Sequence, residues 1–328
     1  MSAITPDPIM KTALGFMAAK HLFVANEIGV FRAFAQTPAT LNELATRTGV
    51  PRRTLRIVAD AMVSLGFLDK RERQYQNGAA AAAFLSGSGP VDLGPALRFL
   101  NRISYRYWLK LEEAVRSGQA QAQIASLSEE EQKVFSEGVA AFTTPAAAAL
   151  AAAYEFGGHR HVLDLGGGTG SFLIAVLGRH AGLSGTLFEL PGAVAVARRY
   201  LAGKPEAARI KLVEGDFLKD SLPEGADVII LANVIHVFSP ERNLDLLRRI
   251  RHHVPDGARL LMVDLWTDST HTQPPAAPLM AGEFLLFGGE GDVYSVEEAQ
   301  GWFHVTGWRH VEYKPLAGPA SLIVAAAV

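Results

Sequence analysis

Residues 162–172 read VLDLGGGTGSF, and this stretch constrains the fold more than any other part of the chain. An apolar run ends in an acid and is followed by four glycines within five positions. Glycine loses more backbone entropy on folding than any other residue, so a cluster of glycines needs a physical reason. One reason is a tight turn, and another is the close approach of a second molecule to bare backbone. We interpret the stretch as a strand end and a turn into a helix that binds a ligand.

The composition is that of a soluble globular protein. The chain has 328 residues, enough for two domains, and its 49% hydrophobic and 20% charged residues exclude a disordered protein. A formal net charge of −2 argues against a protein specialised for nucleic acid or acidic membranes. The absence of cysteine excludes disulfides, zinc–thiolate sites and cysteine nucleophiles. We see no secretory signal and no apolar tract long enough to span a bilayer, and we therefore expect a cytoplasmic protein.

The first hundred residues have the pattern of a winged-helix domain. Apolar residues recur at helical spacing across 10–34, with an interruption near Ile28–Gly29. Two further helical segments are joined by the turn Gly49–Pro51, and the strand-like stretch FLDKRERQYQN follows them. The apolar first segment exceeds what a monomer could bury alone, which predicts a homodimer. We expect an all-helical winged-helix dimerisation domain over 1–100 and a helical linker, contributing to an acceptor pocket, over 101–155.

From residue 161 the pattern changes to short apolar strands that alternate with amphipathic helices. Strands that are apolar along their whole length indicate a parallel sheet covered by helices on both faces. Ligands of such sheets bind beyond the carboxyl ends of the strands, which is where the glycines follow the first strand. Residues 156–328 are therefore predicted to form a Rossmann-like α/β domain that binds a cofactor.

Two cofactors are compatible with a glycine loop at this position. A dinucleotide fingerprint has the form G-x-G-x-x-G, but its third glycine would fall on Ser171. S-adenosylmethionine also requires bare backbone, against its aminoacyl part. The ends of the next two strands favour this second cofactor, because Glu189 is placed to accept from ribose hydroxyls and Asp216 from the adenine amino group. We predict that S-adenosylmethionine binds at these three strand ends.

Four motifs follow the winged-helix segment in a fixed order: VLDLGGGTG, FELPGAV, VEGDF and NVIHVFSPERN. With them the chain resembles the S-adenosylmethionine-dependent O-methyltransferases of the plant caffeate and bacterial polyketide type. The resemblance implies a class I methyltransferase fold, a homodimer entwined through the N-terminal domains, and S-adenosylmethionine as methyl donor. Our candidate cofactor-binding residues are Asp164, Gly166, Gly168, Glu189, Leu190, Asp216, Phe217 and Asn233.

The resemblance also implies a catalytic base. The family carries a histidine just after the fourth strand, in a stretch of the form I/L-H-D-W, and the matching stretch IHVF contains His236. A phenol with a pKa of about 10 is a poor nucleophile at neutral pH, and a neutral histidine can take its proton during attack. Asp264 matches a family carboxylate and is placed to orient the ring. We expect methylation of a hydroxyl on a small phenolic or polyketide-like secondary metabolite.

Two departures from the family pattern leave the reaction open. The aspartate that commonly follows the histidine is Val237, and the second supporting glutamate corresponds to Val293. Either the adjacent Asp292 substitutes for that glutamate as a catalytic residue, or the catalytic set is incomplete. Some relatives with this fold keep the cofactor but catalyse decarboxylation, hydroxylation or pericyclic steps, and they form the alternative hypothesis.

An aromatic acceptor requires an apolar pocket, and two regions of the chain offer aromatic side chains and a methionine for it. Aromatic residues at helical spacing also serve protein cores, so both interpretations are kept. The candidate substrate-binding residues are Tyr105, Trp108, Phe142, Met280, Phe284 and Phe287. His159 and His161 lack further ligands nearby in the sequence, so no metal is predicted.

The winged-helix pattern raises a DNA-binding regulator as a rival class, with Arg52, Arg53 and Arg56 as its basic residues. These arginines lie beside an apolar stripe, the chain is net acidic, and most of it has the pattern of a cofactor fold. We therefore expect neither nucleic acid nor a membrane as a partner.

Overall fold

The computed structural model describes residues 4–89, 91–122 and 126–328. The chain divides into two compact units, an N-terminal unit of Met1–Arg106 and Lys133–Phe142 and a C-terminal unit of Tyr107–Gln132 and Thr143–Val328. These units interleave along the chain. The domain boundaries at residues 100 and 155 stay a prediction.

The N-terminal unit consists mainly of short helices. These are α1 (Asp7–Ala13), α2 (Gly15–Glu27), α3 (Val30–Ala33), α4 (Leu41–Thr48), α5 (Arg52–Ser64), α6 (Ala79–Phe84) and α7 (Gly94–Phe99), followed by a π-helical turn (Leu100–Ser104). Strands β1 (Ala39–Thr40), β2 (Leu68–Arg71) and β3 (Gln74–Asn77) form a small antiparallel sheet in the order β1-β3-β2.

Local sequence explains the winged-helix arrangement. Thr40 begins α4 with a capping box, in which its hydroxyl accepts from the Glu43 N–H and the Glu43 carboxylate accepts from the Thr40 N–H. Gly49 ends this helix in the left-handed conformation, with φ at 68°. The strand-like stretch after α5 forms the hairpin of β2 and β3. The unit is mainly helical, as predicted. It is not all-helical, because this hairpin and β1 form a small sheet.

The first two helices leave large apolar side chains exposed. The buried core of the unit contains Ala25 of α2 and residues such as Phe31 and Leu55 of later helices. Apolar side chains that expose between 47% and 72% of their surface are Ile9, Met10, Leu14, Phe16 and Met17. Exposed apolar residues on consecutive helices are typical of a surface that contacts another protein.

The C-terminal unit contains a seven-stranded sheet. Its strands are β4 (His161–Leu165), β5 (Ser184–Glu189), β6 (Ile210–Glu214), β7 (Val228–Ala232), β8 (Arg259–Asp264), β9 (Trp308–Pro315) and β10 (Ser321–Ala327). Its helices are α9 (Leu111–Ser117), α11 (Ser171–Arg179), α12 (Pro191–Leu201), α13 (Pro240–His253), α14 (Ala276–Gly288) and α15 (Val296–Thr306). Helices α8 (Tyr105–Trp108) and α10 (Glu129–Ala153) contain residues of both units.

The strands lie in the order β6-β5-β4-β7-β8-β10-β9. Strands β6 to β8 of this order run parallel, and β10 runs antiparallel to both of its neighbours. Successive residues alternate between two buried cores: Val162 belongs to one core and Leu163 to the other, as do Ile230 and Ile229. The sheet is therefore covered on both faces, as predicted, and the carboxyl ends of β4 to β7 share one edge.

Within the described residues, one helix is long and apolar enough to cross a membrane, by length and composition alone. This helix is α10, and the core helix of a soluble protein passes the same test. Its first turn carries Glu129, Glu130 and Glu131, and Pro145 lies inside it. Cytoplasmic location and the absence of a membrane partner stay predictions.

Candidate active site

The turn that follows β4 requires its glycines. Gly166, Gly168 and Gly170 adopt left-handed backbone conformations, with φ at 68°, 57° and 79°. A side chain raises the energy of such conformations, and glycine avoids this strain. A Cβ atom on Gly167 would lie 2.2 Å from a carboxylate oxygen of Asp164, which is far inside van der Waals contact. The loop therefore presents bare backbone at the carboxyl end of β4.

Asp164 lies beneath this loop and is completely buried. Neither of its carboxylate oxygens accepts a hydrogen bond from any residue that the structure describes. Burial, together with the nearby Glu189 carboxylate, raises the pKa of Asp164 to about 8. A buried acid without a partner destabilises the fold, so its position against bare backbone fits a ligand with N–H donors. The ammonium group of S-adenosylmethionine supplies such donors.

Glu189 ends β5 beside the same loop. Its Oε1 accepts from the Gly168 N–H at 3.3 Å, and its Oε2 accepts from the Leu190 N–H at 2.6 Å. Burial raises the pKa of Glu189, while these two N–H groups oppose the rise. Each carboxylate oxygen has a second lone pair, so both can still accept from ribose hydroxyls. Leu190, half exposed, lies next to them in the chain.

Asp216 and Phe217 follow the end of β6. Oδ1 of Asp216 accepts from the Leu218 N–H at 2.9 Å, and Oδ2 pairs with Nζ of Lys219 at 3.0 Å. The Leu218 N–H and then the Lys219 ammonium lower the pKa of Asp216, so its carboxylate is charged at neutral pH. The ring of Phe217 lies against the backbone of Gly166, 3.0 Å from where a Cβ would stand. This strand end adds an acid and an aromatic side chain next to the loop.

Asn233 follows β7 with a φ of 57°, a conformation that few residues other than glycine adopt. Its N–H donates to the carbonyl of Val263 at 2.8 Å. Residues held in this region cluster at functional sites, because the surrounding structure has to stabilise them there. The structure thus brings the predicted cofactor-binding residues to the ends of four adjacent strands.

His236 lies just beyond β7, in the 3₁₀ turn Ile235–Val237. Its Nδ1 is 2.6 Å from Oδ1 of Asp264, the last residue of β8. Asp264 is buried, and the same oxygen accepts from the Leu265 N–H at 2.8 Å. Because a carboxylate only accepts, Nδ1 carries the hydrogen and Nε2 keeps its lone pair. The structure joins these two predicted residues as a histidine–carboxylate pair in which Nε2 is the nitrogen that does not contact Asp264.

Two side chains that the sequence analysis missed hold this turn in place. The buried Asn243 donates from Nδ2 to the carbonyls of Ile235, at 2.9 Å, and Phe238, at 3.2 Å. The hydroxyl of Tyr294 donates to the same Phe238 carbonyl at 2.6 Å. Asn243 falls in register with the buried leucines and isoleucine of α13, and this amide in an apolar stripe was the signal that could have identified it.

Helix α14 and the loop after it pack against the histidine. The ring of Phe284 stacks on the imidazole of His236, with centroids 3.8 Å apart and planes at 9°. Val293, at the position of the family's second glutamate, is buried in an apolar cluster on which Met280 and Phe284 pack. Asp292 is exposed, and its Oδ1 accepts from the N–H of Val293 at 2.7 Å. No hydrogen bond in the described part of the chain joins Asp292 to His236.

In the C-terminal unit, two more candidate pocket residues join α14 to the segment around residue 108, Trp108 from that segment and Phe287 from α14. The Trp108 ring lies against Gly282, and its Nε1–H donates to the buried Glu283. Phe287 packs edge-on against Tyr107, with ring centroids 5.0 Å apart. The sequence analysis missed Glu283, although a single acid inside the apolar stretch AAPLMAGEFLLFG was a visible signal.

The two other pocket candidates belong to the N-terminal unit. Tyr105 packs edge-on against Phe23, with ring centroids 6.3 Å apart, and the ammonium of Lys20 lies over its ring at 4.6 Å. Phe142 is 45% exposed. The structure therefore gathers Trp108, Met280, Phe284 and Phe287 in the unit of the histidine.

His159, which precedes β4, and His161, the first residue of β4, both bond to hydroxyl groups. His161 has Nδ1 2.7 Å from the Ser184 hydroxyl and Nε2 2.9 Å from the Thr186 hydroxyl, and His159 has Nε2 2.9 Å from the Tyr154 hydroxyl. Across the residues that the structure describes, no group of three or more His, Asp or Glu side chains is arranged to hold a metal ion.

The chain matches two family models. The O-methyltransferase domain matches residues 108–309, and the O-methyltransferase dimerisation domain matches residues 10–87. The chain is 32% identical to the 3-hydroxy-5-methyl-1-naphthoate 3-O-methyltransferase of Streptomyces sahachiroi, over 98% of this chain and 95% of that protein. It is 30% identical to the mitomycin biosynthesis 6-O-methyltransferase of Streptomyces lavendulae, over 94% and 91%.

Solved structures agree with this assignment. The structure of human N-acetylserotonin methyltransferase in complex with S-adenosylmethionine has a TM-score of 0.89 to this chain, at 26% identity and with 99% of each chain covered. The predicted class I methyltransferase fold behind a helical N-terminal domain is confirmed. With a domain match over more than half of its length, the chain belongs to the family of S-adenosylmethionine-dependent O-methyltransferases that its motifs predicted.

Proposed function

We propose that the chain methylates a hydroxyl of a small aromatic metabolite, with S-adenosylmethionine as donor and His236 as the general base. The observation that carries the proposal is the His236–Asp264 pair, formed at the ends of β7 and β8. Strand β7 is the neighbour of β4, so the pair and the glycine loop lie at the same edge of the sheet. The name of the naphthoate relative supports a phenolic hydroxyl on a fused aromatic ring as the acceptor.

The residues at the strand ends are assigned to parts of the cofactor. We assign the ammonium group to Asp164 and the glycine loop, the ribose hydroxyls to Glu189 and the adenine amino group to Asp216. Leu190 and Phe217 supply apolar contact to the adenosine, and Asn233 lines the same edge from β7. When bound, S-adenosylmethionine supplies an electrophilic methyl group. The chain's own residues bind it, orient the acceptor and move one proton.

The proton transfer follows from the geometry of the pair. Nε2 of His236 accepts the proton of the acceptor hydroxyl while its oxygen attacks, which avoids a free phenolate in solution. The imidazolium that forms keeps its Nδ1–H on Asp264, whose negative charge stabilises it. This stabilisation is strong because Asp264 is buried, where water screens the two charges little. Methyl transfer is an in-line displacement, so the remaining task is to hold the acceptor.

The acceptor pocket is assigned to apolar side chains. Trp108, Met280, Phe284 and Phe287 in the C-terminal unit present flat or flexible apolar surfaces that suit an aromatic ring. Tyr105 and Phe142 of the N-terminal unit stay in the proposal as further pocket residues. Asp292 stays a proposed catalytic residue on its sequence position alone.

We further propose that two copies of the chain form a homodimer through their N-terminal units. The match of residues 10–87 to a dimerisation domain and the exposed apolar side chains of α1 and α2 support this assembly. Light scattering at micromolar concentration is expected to give the mass of two chains. A monomer at that concentration would contradict the assembly.

The reaction is tested with purified protein, S-adenosylmethionine and a panel of phenols that includes 3-hydroxy-1-naphthoate. Mass spectrometry is expected to find S-adenosylhomocysteine together with an O-methylated product. Binding of S-adenosylhomocysteine without a methylated product from any phenol would reject the proposal. The non-methylating reactions would then take its place, a second candidate that the buried Val293 at the glutamate position favours.

A further inference from the structure

The imidazole of His236 is held from two directions. In its plane, Nδ1 is fixed by Oδ1 of Asp264 at 2.6 Å. On one face, the ring of Phe284 lies parallel to it, with a centroid distance of 3.8 Å and an interplanar angle of 9°. Most aromatic pairs have centroids about 4.5–7 Å apart and avoid full overlap, so this stack is unusually close. The hydrogen bond to Asp264 alone would let the imidazole rotate about the Nδ1–Oδ1 direction. The Phe284 ring stacked on its face prevents this rotation.

Phe284 is itself held by a buried apolar cluster. Leu265, Ala277 and Val293 are each at most 7% exposed and form the cluster, and Phe284 packs on it. Leu265 directly follows Asp264 and donates its N–H to the carboxylate that binds His236. One cluster therefore positions the stacking ring and anchors the backbone next to the carboxylate.

The loop that follows α14 contacts the histidine turn from its backbone side. A Cβ on Gly291 would lie 2.1 Å from the carbonyl oxygen of His236, so a residue without a side chain is needed for the two backbones to approach this closely. A single segment, residues 276–293, thus contacts both the ring and the backbone of His236. Residues 276–293 are distant in sequence from the turn Ile235–Val237, and their packing holds His236 in position.

We propose that Phe284 is a positioning residue for the base: its ring fixes the plane of the His236 imidazole and stabilises the cation that forms when Nε2 takes a proton. A cation over the face of an aromatic ring is attracted to the electrons of that face, and more strongly when water is excluded. Phe284 affects the reaction through its contact with His236. A residue that only lines the acceptor pocket would affect binding of the acceptor instead. The inference rests on the proposed function, in which His236 is the base.

The first experiment measures catalysis with 3-hydroxy-1-naphthoate as the acceptor. Phe284→Leu keeps an apolar side chain but removes the ring, and its kcat is expected to fall roughly tenfold, equivalent to about 1.4 kcal/mol, with KM unchanged. Phe284→Tyr keeps the ring and is expected to retain kcat. Phe135→Leu is the matched control, because Phe135 is a half-buried ring that packs edge-on against Phe99, with centroids 5.4 Å apart, and neither ring is assigned to the acceptor, the cofactor or the base. A rise in KM at constant kcat in Phe284→Leu would identify a pocket wall and overturn the proposal.

The second experiment reads the stack without any reaction. In protein labelled at histidine, the ring protons of His236 are assigned by their loss in His236→Asn, in the presence of S-adenosylhomocysteine. Phe284 shields these protons, so Phe284→Leu is expected to move them downfield, while Phe284→Tyr and Phe135→Leu leave them in place. Unmoved signals in Phe284→Leu would overturn the proposal. Shielded signals in a wild type that methylates no phenol would reject the proposed function and leave the positioning contact standing.

Discussion

Oδ1 of Asp264 accepts two hydrogen bonds, from Nδ1–H of His236 at 2.6 Å and from the backbone N–H of Leu265 at 2.8 Å. The backbone donor is fixed where β8 ends, so it determines which carboxylate oxygen faces the histidine. That oxygen in turn fixes the tautomer in which Nε2 is the basic nitrogen. The catalytic proposal therefore depends on a backbone hydrogen bond as well as on two side chains.

Replacing His236 by alanine is expected to lower kcat by about 10²–10⁴-fold, the usual contribution of a general base. Cofactor affinity is expected to stay the same, because Nε2 of His236 is assigned to the acceptor hydroxyl and not to the adenosine. Product formation by mass spectrometry and calorimetry with S-adenosylhomocysteine measure the two effects separately. Full turnover by His236→Ala would show that holding the acceptor is sufficient for the reaction.

Asp264→Asn is expected to lose less activity than His236→Ala. The Leu265 N–H selects an oxygen, so the asparagine carbonyl takes the place of Oδ1 and still accepts from Nδ1–H. The variant loses the charge that stabilises the imidazolium, a cost of about 1–2 kcal/mol or roughly tenfold in kcat. A loss in Asp264→Asn as large as that in His236→Ala would mean that the amide has turned and forced the wrong tautomer.

The sequence predicted the cofactor edge because its signals are local. A strand that is apolar throughout can only lie inside a covered sheet, and parallel strands place their carboxyl ends at one edge. Glycines, Glu189 and Asp216 at three strand ends therefore had to be neighbours. The pairing of His236 with Asp264 was instead implied by the family resemblance, and the structure places Asp264 at the end of β8, next to the strand that His236 follows.

The contacts around His236 could not be predicted from the sequence, because most of them join residues that are far apart along the chain. Phe284 lies far along the chain from His236, and its helix is apolar on nearly every face, so periodicity does not say which side chain meets the imidazole. Asn243 binds two carbonyls whose orientation only the folded 3₁₀ turn defines. Glu283 gains its indole partner from a segment outside the strand–helix repeat.

Asp164→Asn is expected to stabilise the protein without cofactor, and increasingly so as pH rises. The pKa of Asp164 is raised from 3.8 to about 8, so the folded state favours the protonated acid. The contribution of Asp164 to the free energy of unfolding is fully present below its pKa in the unfolded state. This contribution is lost as the pH rises through its pKa in the folded state. Asparagine does not titrate, so its advantage over the wild type grows between pH 4 and pH 8. Thermal unfolding at several pH values within this range measures it.

Asp216→Asn is the matched control for that series. The pKa of Asp216 is lowered by the Leu218 N–H and by Lys219, so its contribution to stability is present above the unfolded pKa and is lost as pH falls. The control therefore gains no advantage on raising the pH. If the stability difference between Asp164→Asn and the wild type is the same at every pH from 4 to 8, Asp164 does not titrate in the folded protein over that range.

Glu189→Ala is expected to weaken binding of S-adenosylhomocysteine by about 1–3 kcal/mol, the cost of losing a charged hydrogen-bond acceptor. The same change leaves the N–H groups of Gly168 and Leu190 without their acceptor, which loosens the loop as well. Glu189→Gln separates the two effects, because its amide oxygen can still accept one of these bonds. Calorimetry is expected to rank the affinities wild type, Glu189→Gln, Glu189→Ala. Equal affinity in all three would remove Glu189 from the cofactor site.

Val293→Glu tests whether the position of the family's second glutamate is still a catalytic one. Val293 is 2% exposed and shares its cluster with Leu265 and Ala277, so a carboxylate there would be buried without a partner. The free energy of unfolding is expected to fall by more than about 2 kcal/mol in denaturant titrations, and kcat is expected not to rise. Val293→Thr keeps the shape and adds only a hydroxyl, so it is expected to cost less. The contradicting outcome is a Val293→Glu protein that is as stable as the wild type and has a higher kcat. It would show that position 293 can still hold a catalytic acid, and that valine at this position lowers the rate. The stack of Phe284 on His236 would then be an incomplete substitute for that acid.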